Sequence, residues 1–171
     1  MIDQTILKYL EDKPQQLDFK GLIEFMVESR IPFRKGLLLS SIAITTLDII
    51  FLDLNKIDNL TNTRIFFIIL HEIAHYKRMV KLGREEVIRR LSLDDFHQYS
   101  DFLINEEMIA DRYARLLFYH FNKVSLPIVY TQQLDIASIK MQYKFNLLRD
   151  FGFIQNKEER YYHLLNKYIL V

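Results

Sequence analysis

The chain has 171 residues, half of them hydrophobic, and a formal net charge of +1. This length suits one domain with a sizeable core, and the interspersed charges do not form a phosphate-binding surface, so nucleic acid is not an expected partner. Because the chain has no cysteine, disulfides, thiol nucleophiles and cysteine-based zinc sites are excluded, which is compatible with a reducing cytoplasm. Any metal ion must be bound by histidine and carboxylate side chains.

The sequence predicts neither a signal peptide nor a membrane span. Residues 1–12 lack the basic segment and apolar stretch of a secretory signal. The most apolar run, residues 37–54, is interrupted by six serine, threonine and aspartate residues, which makes it too polar to cross a bilayer. We therefore expect a cytoplasmic location and no membrane partner.

In the first third of the chain, apolar residues at helical spacing are followed by β-branched and apolar runs. These patterns predict helices at 3–12 and 17–30 and strands at 37–44 and 48–54. A turn-like segment with several possible N-caps then precedes a long helix at about 60–82, for which Gly83 is the expected C-terminal cap.

The rest of the chain is predicted to be helical. Ser92 to Asp95 resembles a capping box that opens a helix from 92 to about 122, with a break near Ser100 or Asn105 as an alternative. Further helices are expected at 131–150 and from 156 onwards. No repeat or linker is visible, so residues 1–171 are expected to form a single α+β domain.

Two histidines and a glutamate interrupt the apolar part of the 60–82 helix, in the order His71-Glu72-Ile-Ala-His75. Residues four apart lie on one face of a helix, so both imidazoles can bind one metal ion. Glu72 is then placed to act as general base on a water molecule at that metal. Chance alone produces this pattern on the order of one time in a hundred, so the surrounding residues must decide.

The context favours a metal, because the residues before His71 are apolar on every side of the helix and predict that it is buried. Buried histidine and glutamate without partners would cost several kcal/mol. A catalytic zinc site needs a third protein ligand. Glu107 is the candidate, because it lies on an apolar helical stripe that also contains Asp111.

Asp111 lies one turn after Glu107, and we expect it to accept a hydrogen bond from the free ring nitrogen of a liganding histidine. The neighbouring Glu106 is rotated by about 100° and is expected to be solvated. The alternative is an ordinary amphipathic helix, in which these carboxylates form a buried ion pair with Arg112 or Arg115.

These motifs resemble those of the gluzincin metallopeptidases, whose third ligand is a glutamate in a downstream helix. More narrowly, residues 49–55 and the segment Arg64-x-Phe-Phe-x-x-Leu-His-Glu-Ile-Ala-His resemble the strand and active-site helix of the ImmA/IrrE family. The resemblance covers residues 37–118 and implies a mostly helical, zincin-like domain with a small sheet beside the active-site helix. It also implies a small cytoplasmic zinc endopeptidase that cuts a repressor or regulator protein.

The leading hypothesis is therefore zinc-dependent peptide hydrolysis, with zinc bound by His71, His75 and Glu107 and with Glu72 as the base. One alternative is a non-enzymatic, zinc-containing interaction module. Another is a latent peptidase covered by a C-terminal helical extension, residues 126–171. The sequence does not assign the donor that stabilises the oxyanion, for which His97, Tyr113 and His120 are candidates by type only, and it leaves the oligomeric state open.

Overall fold

The computed structural model describes residues 1–38, 41–91, 95–126 and 169–170. The fold is α+β, with six helices and a small three-stranded sheet in this part of the chain. The predicted fold class is confirmed.

The two N-terminal helices are confirmed as α1 (Gln4–Glu11) and α2 (Phe19–Glu28). Each begins after an aspartate whose side chain acts as the N-cap. Asp3 accepts from the backbone N–H of Thr5 and Asp18 from that of Gly21, both at 2.8 Å. These caps satisfy backbone donors that a helix start leaves unpaired, and they set where each helix begins.

The strands are β1 (Phe33–Lys35), β2 (Leu37–Leu38), β3 (Ala43–Thr45), β4 (Ile50–Leu52) and β5 (Ile169–Leu170). The three-stranded sheet has the order β1-β4-β3, in which β1 is parallel and β3 antiparallel to β4. β2 pairs separately with β5 in an antiparallel arrangement. Within the described residues β3 is thus an edge strand, and it packs beside the helix that carries His71.

The predicted strand at 37–44 is wrong as a single element, because its two ends pair with different partners. Residues 37–38 pair with the C-terminal strand β5, whereas residues 43–45 pair with β4. The strand predicted at 48–54 contains β4 at its centre. β1 was missed, since two of its three residues are charged and exposed.

The remaining helices are α3 (Leu54–Ile57), α4 (Asn62–Leu82), α5 (Arg84–Leu91) and α6 (Phe96–Asn122). The long helix predicted at 60–82 is confirmed as α4, with Thr61 as N-cap and Gly83 as C-cap. Gly83 has φ of 85°, a conformation that glycine adopts without steric cost. The short helices α3 and α5 were missed; α3 lies in a segment that the sequence suggested was a turn.

The start predicted for the next helix is wrong. Asp95 is the N-cap of α6 and accepts from the backbone N–H of Gln98 at 3.0 Å, so the helix begins at Phe96 rather than at Ser92. A carboxylate in this position caps a helix as well as a serine does, which explains the shift. α6 continues to Asn122 without a break at Ser100 or Asn105.

The core is organised around Phe66 in the middle of α4. Its ring meets Phe19 of α2 at 5.0 Å and Phe118 of α6 at 5.5 Å between centroids, both edge to face. All seven residues from 65 to 71 are buried, which confirms the prediction that the helix is buried over the apolar run before His71. His71 is therefore carried into the protein interior by the same apolar run that drives folding.

Some predictions fall outside the described residues, namely the helices at 131–150 and from 156, and the covering role of the extension 126–171, of which the structure describes residues 126, 169 and 170 alone. Among the described helices, none is both long enough and apolar enough to cross a membrane.

Candidate metal centre

α6 packs along α4, and three side chains from the two helices converge between them. The Nε2 atoms of His71 and His75 are 2.9 Å apart. The carboxylate of Glu107 lies 3.0 Å from His71 Nε2 through one oxygen and 3.2 Å from His75 Nε2 through the other. The structure thus brings together the three residues that the sequence suggested as metal ligands.

The spacing of these donor atoms fits a zinc ion. Tetrahedral coordination with metal–ligand distances of about 2.0–2.1 Å puts the ligand atoms about 3.3 Å from one another. The contacts of 2.9, 3.0 and 3.2 Å are close to that value. Two imidazoles and one carboxylate are also the ligand set of a common class of catalytic zinc site, which leaves a fourth position for water or substrate.

Asp111 contacts the other ring nitrogen of His71, with 3.0 Å between Oδ1 and Nδ1. An ionised carboxylate can only accept, so Nδ1 carries the proton and donates it, which leaves the Nε2 lone pair of neutral His71 directed at the donor cluster. The alternative of an ion pair with arginine is not what the structure shows. Within the described chain, Glu107 and Asp111 contact histidines instead of Arg112 or Arg115.

The electrostatics of the site reflect these close contacts. Burial lowers the pKa of His71, but hydrogen bonds to Asp111 and Glu107 and the negative charge of Glu72 outweigh burial and raise that pKa to about 10. For Glu107, burial raises the pKa, yet the hydrogen bonds and charges of His71 and His75 hold it well below its usual range. A protonated His71 can donate from both ring nitrogens, to Asp111 and to Glu107.

Glu72 lines the same cleft as the three ligands and is held by Thr45 from strand β3. The Thr45 hydroxyl lies 2.6 Å from Glu72 Oε2 and 3.0 Å from the Glu72 backbone carbonyl. A single hydroxyl proton serves only one acceptor at a time, and the shorter contact is to the carboxylate. Thr45 was missed by the sequence reasoning, because only the packing of an edge strand against α4 brings the two residues together.

The expectation that Glu106 is solvated is wrong. Glu106 is buried, and its carboxylate accepts from Nε and Nη2 of Arg78 at 3.0 to 3.2 Å. Helical rotation correctly turned Glu106 away from the ligand cluster, but that direction points to Arg78 on α4 and not to solvent. The bidentate pair joins α4 to α6 beside the metal-binding residues.

The cleft above the ligands has a volume of about 510 Å³ and is lined by β3, α4, α5 and α6. A larger cavity of about 840 Å³ lies between the α1–α2 connection and the end of α6, but it contains none of the candidate residues. His97, Tyr113 and His120 do not line the cleft among the residues described. The structure therefore assigns none of them to oxyanion stabilisation.

The chain was compared with models of protein families, with curated proteins and with solved structures, and none of the three comparisons finds a match. The function must accordingly be inferred from the chemistry of the site.

Proposed function

We propose that the protein is a zinc-dependent endopeptidase of the gluzincin type, similar to the ImmA/IrrE family, that cuts a protein substrate in the cytoplasm. A repressor or regulator is the substrate class that this resemblance implies. The observation that carries the proposal is that His71 Nε2, His75 Nε2 and the Glu107 carboxylate oxygens lie within 3.2 Å of one another, with the carboxylate of Glu72 lining the same cleft.

Bound zinc would supply a Lewis acid that activates a water molecule and polarises the scissile carbonyl. The remaining roles, proton transfer and the orientation of side chains, belong to residues of this chain. Glu72 accepts the proton of the attacking water and later delivers it to the nitrogen of the leaving amine as the C–N bond breaks. Thr45 holds one oxygen of Glu72, while Asp111 fixes the ring orientation and tautomer of His71.

Two features favour an enzyme over a zinc-containing interaction module. A structural zinc site usually has four protein ligands, whereas the described residues supply a cluster of three. A structural site also has no need for a carboxylate such as Glu72, which is directed into the cleft and held there by a hydroxyl.

The proposal is tested by measuring zinc content and the cleavage of an unbiased peptide library by the wild type and by Glu72→Gln. Glu85→Gln is the matched control, because Glu85 is an exposed glutamate on α5. We expect Glu72→Gln to keep its zinc and to lose cleavage by at least about 100-fold, the usual contribution of a general base. Unchanged cleavage by Glu72→Gln, or no cleavage by the zinc-loaded wild type, would contradict the proposal.

A further inference from the structure

The cleft extends to both sides of the metal-binding residues and differs in character at its two ends. One end contains Arg64, which lies seven residues before His71 on α4. At 1.5 Å per residue, this places Arg64 about 10 Å from His71 along the helix axis. The other end is apolar and is formed by Met79, Leu82, Val87, Phe102 and Leu103.

Arg64 is the cationic side chain without an ion-pair partner among the described residues of the cleft. The contact it makes is through its backbone N–H, which donates to the Thr61 hydroxyl at the start of α4. Arg64 is half-buried as a residue, and its guanidinium offers five N–H donors to the cleft that Arg64 lines. Such a group gains from meeting an anion.

The carboxylates that line the cleft are engaged elsewhere. Glu107 contacts both histidines, Glu72 accepts from Thr45, and Glu106 forms the bidentate pair with Arg78. None of these contacts involves the guanidinium of Arg64. Within the described residues of the cleft, the side chain of Arg64 is thus a cation that remains available to a bound substrate.

We propose that Arg64 binds an acidic side chain of the substrate, on the side of the scissile bond opposite the apolar end of the cleft. An extended peptide advances about 3.3 Å per residue, and the long arginine side chain adds to the separation of about 10 Å between the two helix positions, so this aspartate or glutamate lies several residues from the scissile bond. Arg64 is then a specificity-determining residue. This inference rests on the proposed function, since it needs a peptide to occupy the cleft.

The test measures binding rather than cleavage, with the zinc-loaded Glu72→Gln variant and fluorescently labelled decapeptides. Each peptide has a central phenylalanine in an alanine background, and a single Asp, Gln or Lys is moved through the other positions. We expect Asp to bind about tenfold more tightly than Gln at one or two neighbouring positions on one side of the phenylalanine, as is typical of a charge-assisted hydrogen bond. The remaining positions should show no preference.

The same peptide scan is repeated on variants of residue 64 made in the Glu72→Gln background. It shows whether Arg64 causes the preference for Asp. Arg64→Gln should abolish the preference for Asp, and Arg64→Glu should replace it with a preference for Lys at the same position. Arg34→Glu is the control, because Arg34 is exposed on β1, at the opposite edge of the sheet from β3. Zinc content and melting temperature confirm that each variant is folded.

A preference for Asp that survives in Arg64→Glu would place the carboxylate on the zinc or on another cation and would overturn the inference. Equal binding of Asp, Gln and Lys peptides, or no peptide binding at all, would overturn it as well. Because binding is measured without hydrolysis, a protein that shows the Arg64-dependent preference but whose wild type cleaves nothing would refute the proposed peptidase activity and leave the inference about Arg64 supported.

Discussion

The two ring nitrogens of His71 have different roles, one towards Asp111 and the other towards the donor cluster. Asp111 requires a proton on Nδ1, while a metal ion requires the lone pair of Nε2. Both nitrogens lie 3.0 Å from carboxylate oxygens, and although burial lowers the pKa of His71, these contacts outweigh it and raise that pKa to about 10. If the proposed zinc site is correct, zinc and a proton compete for the same nitrogen.

This competition predicts opposite pH dependences for the two forms. The pKa of folded His71 lies above its ordinary value of 6.5, so its contribution to the stability of the metal-free protein is complete below pH 6.5 and is lost as pH rises through about 10. We expect the free energy of unfolding to fall as the pH rises over that range. Zinc affinity should rise, because a smaller fraction of His71 carries the proton that zinc must displace.

Urea denaturation in the presence of a chelator measures the first effect, and zinc titration over the same pH range measures the second. His120→Gln serves as a control because His120 is exposed, and it should leave both pH dependences unchanged. A flat stability profile for the metal-free wild type between pH 6.5 and 10 would show that His71 is not held in its charged form. Glu107 acts with the opposite sign. Because its pKa is lowered in the folded protein, Glu107 stabilises the protein at pH values above the ordinary pKa of a glutamate, and this contribution is lost as the pH falls into the acid range.

Thr45 gives a second prediction at the residue scale. Thr45→Val keeps the shape of the side chain but removes the hydroxyl that holds Glu72. We expect kcat/KM to fall by about 10- to 100-fold, because a misplaced base loses its alignment with the attacking water. Zinc affinity should not change, and Thr45→Ser should restore most of the activity. A Thr45→Val enzyme with wild-type kcat/KM would show that Glu72 needs no such support.

Between elements, the pair of α4 and α6 creates the site, because each helix contributes ligands that the other lacks. The pair is held by the apolar contacts of Phe66 with Phe118 and by the buried Arg78–Glu106 ion pair. Glu106 directly precedes the ligand Glu107, so the ion pair also fixes the rotation of α6 about its axis. A substitution in this ion pair should therefore change the affinity of the proposed metal site.

Glu106→Gln should lower the free energy of unfolding by about 2 kcal/mol, which is less than the loss of about 3–5 kcal/mol for a fully buried ion pair because Arg78 is partly exposed. It should also weaken zinc binding. The double variant Arg78→Met with Glu106→Met removes both charges and should recover most of the lost stability. Denaturant unfolding of Arg78→Met, Glu106→Met and the double variant measures this, and simple additivity of the two single changes would contradict a direct interaction.

The helices were more predictable than the strands, for a physical reason visible in particular elements. The spacing of His71, His75, Glu107 and Asp111 within their helices is a local property, since helix geometry alone decides which residues share a face. Strand pairing is not local. The run from Leu37 onwards looked like one strand, yet its ends pair with strands far apart in sequence. The contacts of Thr45 with Glu72 and of Arg78 with Glu106 were missed because they too join residues far apart in sequence.

Across the whole molecule, the apolar sequence of α4 both builds the core and carries His71 and His75, the proposed metal ligands, into the interior. Burial of seven consecutive residues up to His71 places the ligands in a partly enclosed cleft, where electrostatic interactions are stronger than in bulk water. The same enclosure makes the histidines and carboxylates costly to leave without partners. Fold and site thus depend on one stretch of sequence.

The central claim, that His71, His75 and Glu107 form a three-ligand zinc site, is tested most directly by a zinc titration against a competing chelator. The wild type and Asp101→Asn, a control at an exposed carboxylate on α6, should each bind one zinc ion with equal affinity. Glu107→Gln should bind it more weakly by upwards of about 100-fold, more than the loss caused by removing a partner of a ligand. Wild-type zinc affinity in Glu107→Gln would contradict the account.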